Sequence, residues 1–203
     1  MKGKVNQQER SQRAKKAFSE KEKYFLAGFF EGNGSFYVSI KKNKSSRYGF
    51  LLDPGIAFCE HEKGLHLLLR CQRMLGTGRL EKKADTSPIH QLVISHRRSI
   101  REKFIPFYRK YACPFSAKRE AFDIFAKIVE GLERKDHHSS QGMISLLEKT
   151  YELSQISQSR ERKYALEDLI ALVKSSETTR LEAASEDLPV EGHCQSFHEK
   201  AAA

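Results

Sequence analysis

The segment FLAGFFEGNGSF, residues 25–36, places a polar side chain between two glycines where a helix should end and a strand should begin. A position with small neighbours at a helix end is a common setting for a carboxylate. Here that position is held by Asn33, between Gly32 and Gly34. An asparagine offers one neutral carbonyl oxygen to a cation and cannot offset the charge of the ion. The segment therefore predicts a cation-binding site in which a neutral asparagine occupies the position expected for a carboxylate.

Basic side chains form a second set of residues that could do chemistry. Residues 1–135 contain 29 Lys and Arg against 14 Asp and Glu, whereas residues 136–203 contain 7 against 12. A basic field of this kind usually faces nucleic acid, and a solubilising surface is the alternative. The candidates for DNA contact lie on predicted strands and hairpin loops: Tyr37, Ser39, Lys41, Lys42, Lys44, Arg47, Arg79, Lys82, Lys83 and Gln91. A twisted antiparallel ribbon fits the major groove, although a merely solvated face would also be polar here.

Other classes of site are disfavoured by spacing and composition. The four cysteines are too far apart for a zinc site of the CxxC kind, and the eight histidines show no ligand spacing. No apolar run reaches about 18 residues, so no membrane span is predicted. The basic stretch 1–19 has no apolar centre, which excludes a secretory signal. It is interpreted as a DNA-contacting arm, with an organellar presequence as the alternative.

The helix that must position Asn33 is predicted over 20–32. It is apolar almost all round, which is typical of a helix buried on every side. Gly28 and Gly32 stand four residues apart and form one small face, which lets another backbone approach closely. A second copy of the same helix is the natural partner for such a face.

The elements after this helix alternate between strands and helices. Residues 35–42 and 48–59 have the two-residue alternation of half-buried strands, and Pro54 marks a bulge or an edge. The remaining predicted elements are a helix over 62–75, two short strands within 76–95, helices over 97–111 and 116–132, and weaker helices over 140–154 and 159–174. This order predicts an α+β domain over 20–175 with an antiparallel sheet, followed by a flexible tail over 176–203.

A family resemblance emerges from these blocks. LAGFFEGNG, residues 26–34, resembles the LAGLIDADG motif position for position, and KKNKSSRYGFLLDPGIAFCEH, LGTGRLEKK and REKFIPFYRKY follow in the family's order. Over residues 22–175 the chain resembles the single-motif LAGLIDADG homing endonucleases encoded in group I introns of organellar large-subunit ribosomal RNA genes. The resemblance implies a helix-strand-strand-helix-strand-strand-helix core, an antiparallel DNA-binding saddle and extra C-terminal helices. It also implies an organellar location, in a chloroplast or mitochondrion, for an organelle-encoded rather than imported protein.

The resemblance further implies a homodimer that hydrolyses phosphodiester bonds in a long, near-palindromic DNA duplex. The implied cofactor is Mg²⁺ or Mn²⁺, with Ca²⁺ able to occupy the site without cleavage. The implied metal-binding residues are Gly32, Asn33 and Glu60, and the implied basic group beside the cleavage site is Lys118 and Arg119, for which ordinary phosphate or surface contacts are the alternative. The implied dimer contacts are Ala27, Gly28, Glu31 and Gly32, although Glu31 is also suited to a structural role at the helix end.

Asn33 occupies the acid position of the motif, so impaired cleavage is expected. A carboxylate at Glu60 would recover part of the missing charge. An introduced substitution, natural decay and retention of a binding-only chain all explain Asn33, and a single isosteric change in an otherwise complete motif favours the first. The alternative functions are an RNA maturase and a DNA-binding protein without chemistry. The sheet would not enter the deep, narrow major groove of RNA, so a maturase would need another surface.

Overall fold

The computed structural model describes residues 18–157 and 162–186. Most of the predicted arm, and the tail beyond residue 186, lie outside the described residues. The main elements are α1 (Glu20–Asn33), β1 (Gly34–Lys42), β2 (Phe50–His61), α2 (Leu65–Leu75), β3 (Arg79–Lys82), β4 (Ile89–Ile94), α3 (Ile105–Tyr111), α4 (Arg119–Glu133), α5 (Ser140–Ile156) and α6 (Leu166–Glu186). This order confirms the predicted α+β fold.

The sheet is antiparallel with strand order β1-β2-β4-β3. Phe36 pairs with Ile56, and both are buried beneath the helices. Because side chains alternate along a strand, the residues between them form the opposite, open face. Tyr37 opposes Gly55 on that face, and Glu81 opposes Gln91.

Pro54 lies within β2 without a bulge, because the register from Gly34↔Phe58 to Lys42↔Phe50 is continuous. β4 pairs with β2 only from Ile56 onward. Pro54 therefore has no β4 partner at its own level, which suits a residue without a backbone N–H. The predicted bulge is wrong, and the predicted edge holds only locally, because β2 is an inner strand that is paired on one side alone at Pro54.

The core beneath the sheet is built from aromatic rings around Phe30 of α1. The Phe30 ring centroid lies 5.1 Å from Phe36, 4.8 Å from Phe58 and 5.0 Å from Phe104. Phe30 is completely buried. These contacts fix the end of α1 on both the sheet and the helical layer, so the position of Asn33 is fixed by the core.

The helix predicted over 97–111 is interrupted. A helical turn Arg97–Ser99 leads into a π-helical segment Ile100–Phe104, in which the Ile105 N–H bonds to the Ile100 carbonyl. Pro106 lies at the start of α3 and lacks an N–H, so the regular bonding pattern is broken there. The inserted turn allows both Ile100 and Phe104 to be buried.

The C-terminal helix is longer than predicted. α6 continues to Glu186, so the predicted start of the tail at residue 176 lies inside a helix. A Glu-, Ser- and Ala-rich composition is shared by tails and exposed helices, and Ala, Leu and Glu have high helix propensity. No helix within the described residues is long and apolar enough to cross a membrane.

Arg162, between α5 and α6, fastens the free edge of the sheet to α5. Its guanidinium donates to the Val38 carbonyl on edge strand β1 at 3.2 Å and to the Thr150 carbonyl at 2.9 Å. It also bonds to the Ser154 hydroxyl at 2.7 Å and lies 5.0 Å from the centre of the Tyr151 ring. Partial burial lowers the pKa of Arg162 from its ordinary value. This side chain therefore links three parts of the chain at one point.

Replacing Arg162 with methionine should lower the free energy of unfolding by about 2 kcal/mol, because it leaves the Val38 and Thr150 carbonyls without this donor. For a chain of this length the melting temperature should fall by roughly 4–8 °C. Urea unfolding of Arg162→Met beside Lys163→Met, a neighbouring exposed lysine, checks this. Equal stability of the two variants would show that the Arg162 bonds do not support the fold.

Candidate active site and nucleic-acid interface

Asn33 and Glu60 meet at the end of α1. The Asn33 side-chain nitrogen donates to Glu60 Oε2 at 2.9 Å, across 27 residues of sequence. The other oxygen, Oε1, accepts the His61 backbone N–H at 2.8 Å. The two polar positions proposed for the metal site from the sequence therefore share one location.

Two glycines allow the close packing around this pair, one against Phe30 and one against Glu60. A Cβ at Gly34 would lie 2.1 Å from the Phe30 ring, so only glycine fits where α1 passes into β1. A Cβ at Gly64 would lie 2.4 Å from Cγ of Glu60. Gly34 was part of the motif, but Gly64 was missed, because only the packing shows that it borders Glu60.

The electrostatics of the site favour a cation. Asn33 is the last residue of α1, where the backbone carbonyls carry partial negative charge, and Glu60 adds a carboxylate. Mg²⁺ usually takes one or two carboxylates plus phosphate oxygens, so Glu60 supplies the minimum. Asn33 becomes a ligand only if its amide turns Oδ1 towards the ion. Among the described residues, no group of three or more His, Cys, Asp or Glu converges. These residues therefore fit a divalent cation only weakly, because they supply one carboxylate ligand and such sites often have two.

Lys118 brings a positive charge to the same helix end. It immediately precedes α4, and its Nζ donates to the Gly34 carbonyl at 2.7 Å. Burial lowers the pKa of Lys118 below its ordinary value, and the nearby Glu31 carboxylate acts in the opposite direction. Arg119 is exposed and makes no hydrogen bond or ion pair within the described residues. The structure thus brings Lys118 to the end of α1, and the predicted role of Arg119 stays a prediction.

Glu31 holds the loop that carries Lys118. Its carboxylate accepts hydrogen bonds from the Tyr108 hydroxyl at 3.0 Å, the Ser116 hydroxyl at 2.8 Å and the Lys118 N–H at 3.2 Å. Burial raises the pKa of Tyr108 above its ordinary range, so this phenol stays a donor. All three contacts lie within one chain. These bonds give Glu31 the structural role that was its alternative, and its predicted contact with a dimer partner stays a prediction.

The exposed face of α1 differs from the predicted one at Ala27, which is buried, and at Phe25, which is exposed. Ala27 is 1% exposed and packs into the core of its own chain, whereas Phe25 is 57% exposed. A Cβ added at Gly28 or Gly32 would meet no atom within 4 Å. The face available to a partner therefore contains Phe25, Gly28 and Gly32. Ala27 is removed from the predicted interface, since a helix that is apolar all round gives no sequence signal for its inner side.

The open face of the sheet carries acidic residues beside the predicted DNA contacts. Lys41 is paired with Asp53 of the neighbouring strand. Glu81 accepts hydrogen bonds from Arg79 at 2.8 Å and from Gln91 at 2.7 Å, and these bonds hold its pKa below the ordinary value. Asp53 and Glu81 were missed by sequence reasoning. Their strand parity, which matches that of Ser39 and Gln91, was the signal that could have found them.

The other predicted DNA contacts are distributed differently. Lys42 and Lys82 have the strand parity of the helix-packed face, at exposed strand ends, and Lys42 lies 5.8 Å from the Tyr164 ring. Arg47 bonds to the His138 carbonyl and forms a 2.9 Å ion pair with Glu177 of α6. Its guanidinium is therefore occupied by the C-terminal helices rather than lying free on the open face. Tyr37 and Ser39 lie on that face, and Lys44 and Lys83 are exposed in the two hairpin loops.

Comparison with known proteins identifies the family of this chain. The family of the LAGLIDADG endonucleases matches residues 26–129. DNA endonuclease I-CeuI of Chlamydomonas moewusii is 31% identical over 125 residues, which are 61% of this chain and 57% of that protein. The chain thus matches a little over half the length of this curated relative.

Solved structures show the same fold. The archaeal intron-encoded homing endonuclease I-Vdi141I, complexed with DNA, superposes with a TM-score of 0.72 at 29% identity, covering 78% of this chain and 98% of that one. Group I intron-encoded I-CeuI, also complexed with DNA, gives 0.69 at 27% identity and 78% coverage of each chain. I-CvuI, in complex with its target and 2 mM Ca, shares the fold alone, with a TM-score of 0.67 at 14% identity, covering 78% of this chain and 96% of that one. Together with the family match over residues 26–129, these results establish that the chain belongs to the LAGLIDADG endonuclease family.

Proposed function

We propose that this chain is a site-specific homing endonuclease for double-stranded DNA whose cleavage step is impaired by Asn33. The observation that carries the proposal is the 2.9 Å contact between Asn33 and Glu60 at the end of the motif helix. Lys118 lies at the same helix end through its 2.7 Å bond to the Gly34 carbonyl. A carboxylate, an amide oxygen and a lysine at one point are suited to holding a cation against a phosphodiester.

The DNA surface in this proposal is the open face of the sheet with its two hairpin loops. Arg79 is 71% exposed and Lys41 58%, so both cations are accessible to a duplex. An antiparallel ribbon is narrow enough for the major groove. The DNA complexes of I-Vdi141I and I-CeuI support this assignment, since both share the fold at more than 25% identity. The target would be long, because the sheet presents contacts along its whole width.

A homodimer on a near-palindromic target is part of the proposal. Phe25 is 57% exposed on α1, and Phe115 and Leu69, at 83% and 40%, are also among the exposed large apolar residues. The open space at Gly28 and Gly32 allows a second α1 to approach closely. A two-fold axis through these helices brings two sites together, which suits cleavage of both strands.

The proposed cofactor is Mg²⁺ or Mn²⁺, held by Glu60, the Asn33 Oδ1 and the Gly32 carbonyl together with phosphate oxygens. A divalent ion there would polarise the phosphoryl group and activate water. Ca²⁺ would bind without supporting cleavage. The presence of Ca in the I-CvuI complex with its target is compatible with that role.

A binding-only function is the second candidate. The Asn33 amide donates a hydrogen bond to Glu60. An aspartate at position 33 would instead place two carboxylates side by side, and these would need a cation between them. The pair of Asn33 and Glu60 is thus satisfied without metal. An RNA maturase receives no comparable support from a described surface. An organellar location, with the protein encoded in the organelle, is proposed by analogy with the group I intron-encoded relative.

Selection of duplexes from a randomised library, with intron-insertion junctions of ribosomal RNA genes as defined competitors, tests the function. The chain should enrich a long, near-palindromic sequence, and its affinity should fall steeply with salt. Intron RNA of equal length should compete weakly. Failure to enrich any duplex, or stronger binding to the RNA, would contradict the proposal.

A further inference from the structure

The inference concerns a cluster of three side chains on the open face, formed by Arg79, Glu81 and Gln91. The cluster spans β3 and β4, where Glu81 and Gln91 are directly paired. Oε2 of Glu81 accepts from Nε of Arg79 at 2.8 Å, and Oε1 accepts from the Gln91 side-chain nitrogen at 2.7 Å. One carboxylate therefore binds both neighbours, with a separate oxygen for each.

This carboxylate is poorly suited to contact the DNA backbone directly. A negative charge on a surface that binds phosphates opposes binding, so it needs a different role on this face. Glu81 is 32% exposed, whereas Arg79 is 71% exposed. The acid therefore lies below the more exposed arginine and acts through it.

The contacts fix the orientation of both partners. The Nε and Nη2 atoms of Arg79 face the Glu81 carboxylate. The donors of Nη1 are not bound to Glu81. An ionised carboxylate only accepts hydrogen bonds, so the Gln91 amide must turn its nitrogen to Glu81. Oε1 of Gln91 then faces Cys59, whose sulfur lies 4.0 Å away. One N–H of Gln91 and the second lone pair of its carbonyl oxygen stay available to a ligand.

These free groups match two purines in the major groove. The donor fork of arginine recognises O6 and N7 of guanine, and the amide of glutamine recognises N6 and N7 of adenine. We propose that Glu81 is a specificity-determining residue, which holds Arg79 and Gln91 as readers of a guanine and a nearby adenine. This assignment rests on the proposed DNA-binding function and names part of the sequence that each half-site should contain.

Selection from a randomised duplex library with Glu81→Gln tests the assignment. The glutamine has the same shape but replaces one acceptor oxygen with a donor NH2 group, so it cannot accept from both neighbours in their present orientations. The preferences for the guanine and for the adenine should each fall by about 10-fold, within the range that one bidentate contact contributes. Preferences at the other positions should be unchanged.

Asp53→Asn is the matched control, because it removes a carboxylate from the same face beside Lys41 rather than beside Arg79. This variant should retain the guanine and adenine preferences. If Glu81→Gln keeps the wild-type base profile, or weakens all sequences equally, Glu81 does not determine specificity. Those results would leave the proposed function intact, whereas absence of any enriched duplex with the wild-type chain would overturn both.

Discussion

Replacing Asn33 with aspartate should increase Mg²⁺- or Mn²⁺-dependent cleavage of the selected duplex by about 100-fold or more. The change adds a second carboxylate beside Glu60, at a position where the present amide lies 2.9 Å from it. A 100-fold gain corresponds to about 2.7 kcal/mol of transition-state stabilisation, a reasonable share for one metal-binding charge. Single-turnover cleavage of the same duplex by both proteins measures the effect.

The metal dependence gives this prediction a second readout. Without metal, two adjacent carboxylates raise the pKa of one of them in the folded state. A carboxyl whose pKa is raised in the folded state loses stability as the pH rises above its unfolded pKa, so in a chelator Asn33→Asp should become less stable as the pH is raised from about 4 towards neutral. Ca²⁺ should restore the lost stability in thermal unfolding.

Adding Glu60→Gln to Asn33→Asp should abolish both the increase in cleavage and the recovery of stability by Ca²⁺, whereas Glu62→Gln, at a nearby exposed acid, should abolish neither. If Asn33→Asp leaves the duplex uncut with both Mg²⁺ and Mn²⁺, the nuclease proposal fails and the binding-only function replaces it.

Replacing Gly28 with leucine should weaken the proposed homodimer without unfolding the protein. A Cβ at Gly28 meets no atom within 4 Å in its own chain, and loss of a mid-helix glycine usually stabilises a helix by roughly 0.5–1 kcal/mol. In a dimer, each inserted side chain would cost about 1–3 kcal/mol by overpacking. Two copies should weaken dimerisation by about 30-fold or more.

Sedimentation equilibrium and duplex titration of Gly28→Leu measure these effects. Glu148→Leu adds the same side chain at an exposed position of α5 and should leave the dimer intact. A Gly28→Leu protein that dimerises as tightly as the wild type would place the interface elsewhere. A wild-type chain that binds its duplex as a monomer would have the same consequence.

The sequence predicted most of the fold because its elements have clear periods. The alternation around Phe36 gave strand β1 and its inner face, and the glycines around Asn33 located the end of α1. Glu60 was identified through the resemblance, and the structure places it against Asn33. These features depend on neighbours in sequence or on a contiguous motif.

What could not be predicted depends on contacts distant in sequence. Arg47 pairs with Glu177, 130 residues away, so a loop arginine that looked like a DNA contact is held by α6. The burial of Ala27 could not be predicted, because α1 is apolar on all sides. The contacts of Phe30 with Phe58 and Phe104 determine which side of α1 faces the core. The loop that Glu31 binds begins 85 residues later at Ser116. No local pattern contains this information.

The two cations on the rim of β1 also affect how the protein behaves at high concentration. Lys118 binds the Gly34 carbonyl and Arg162 binds the Val38 carbonyl, so two acceptors of this outer strand are covered by positive charge. An uncovered outer strand can recruit strands of other molecules and seed aggregates. The same lysine that lies beside the proposed cleavage site therefore also occupies an acceptor to which a strand of another molecule could bond.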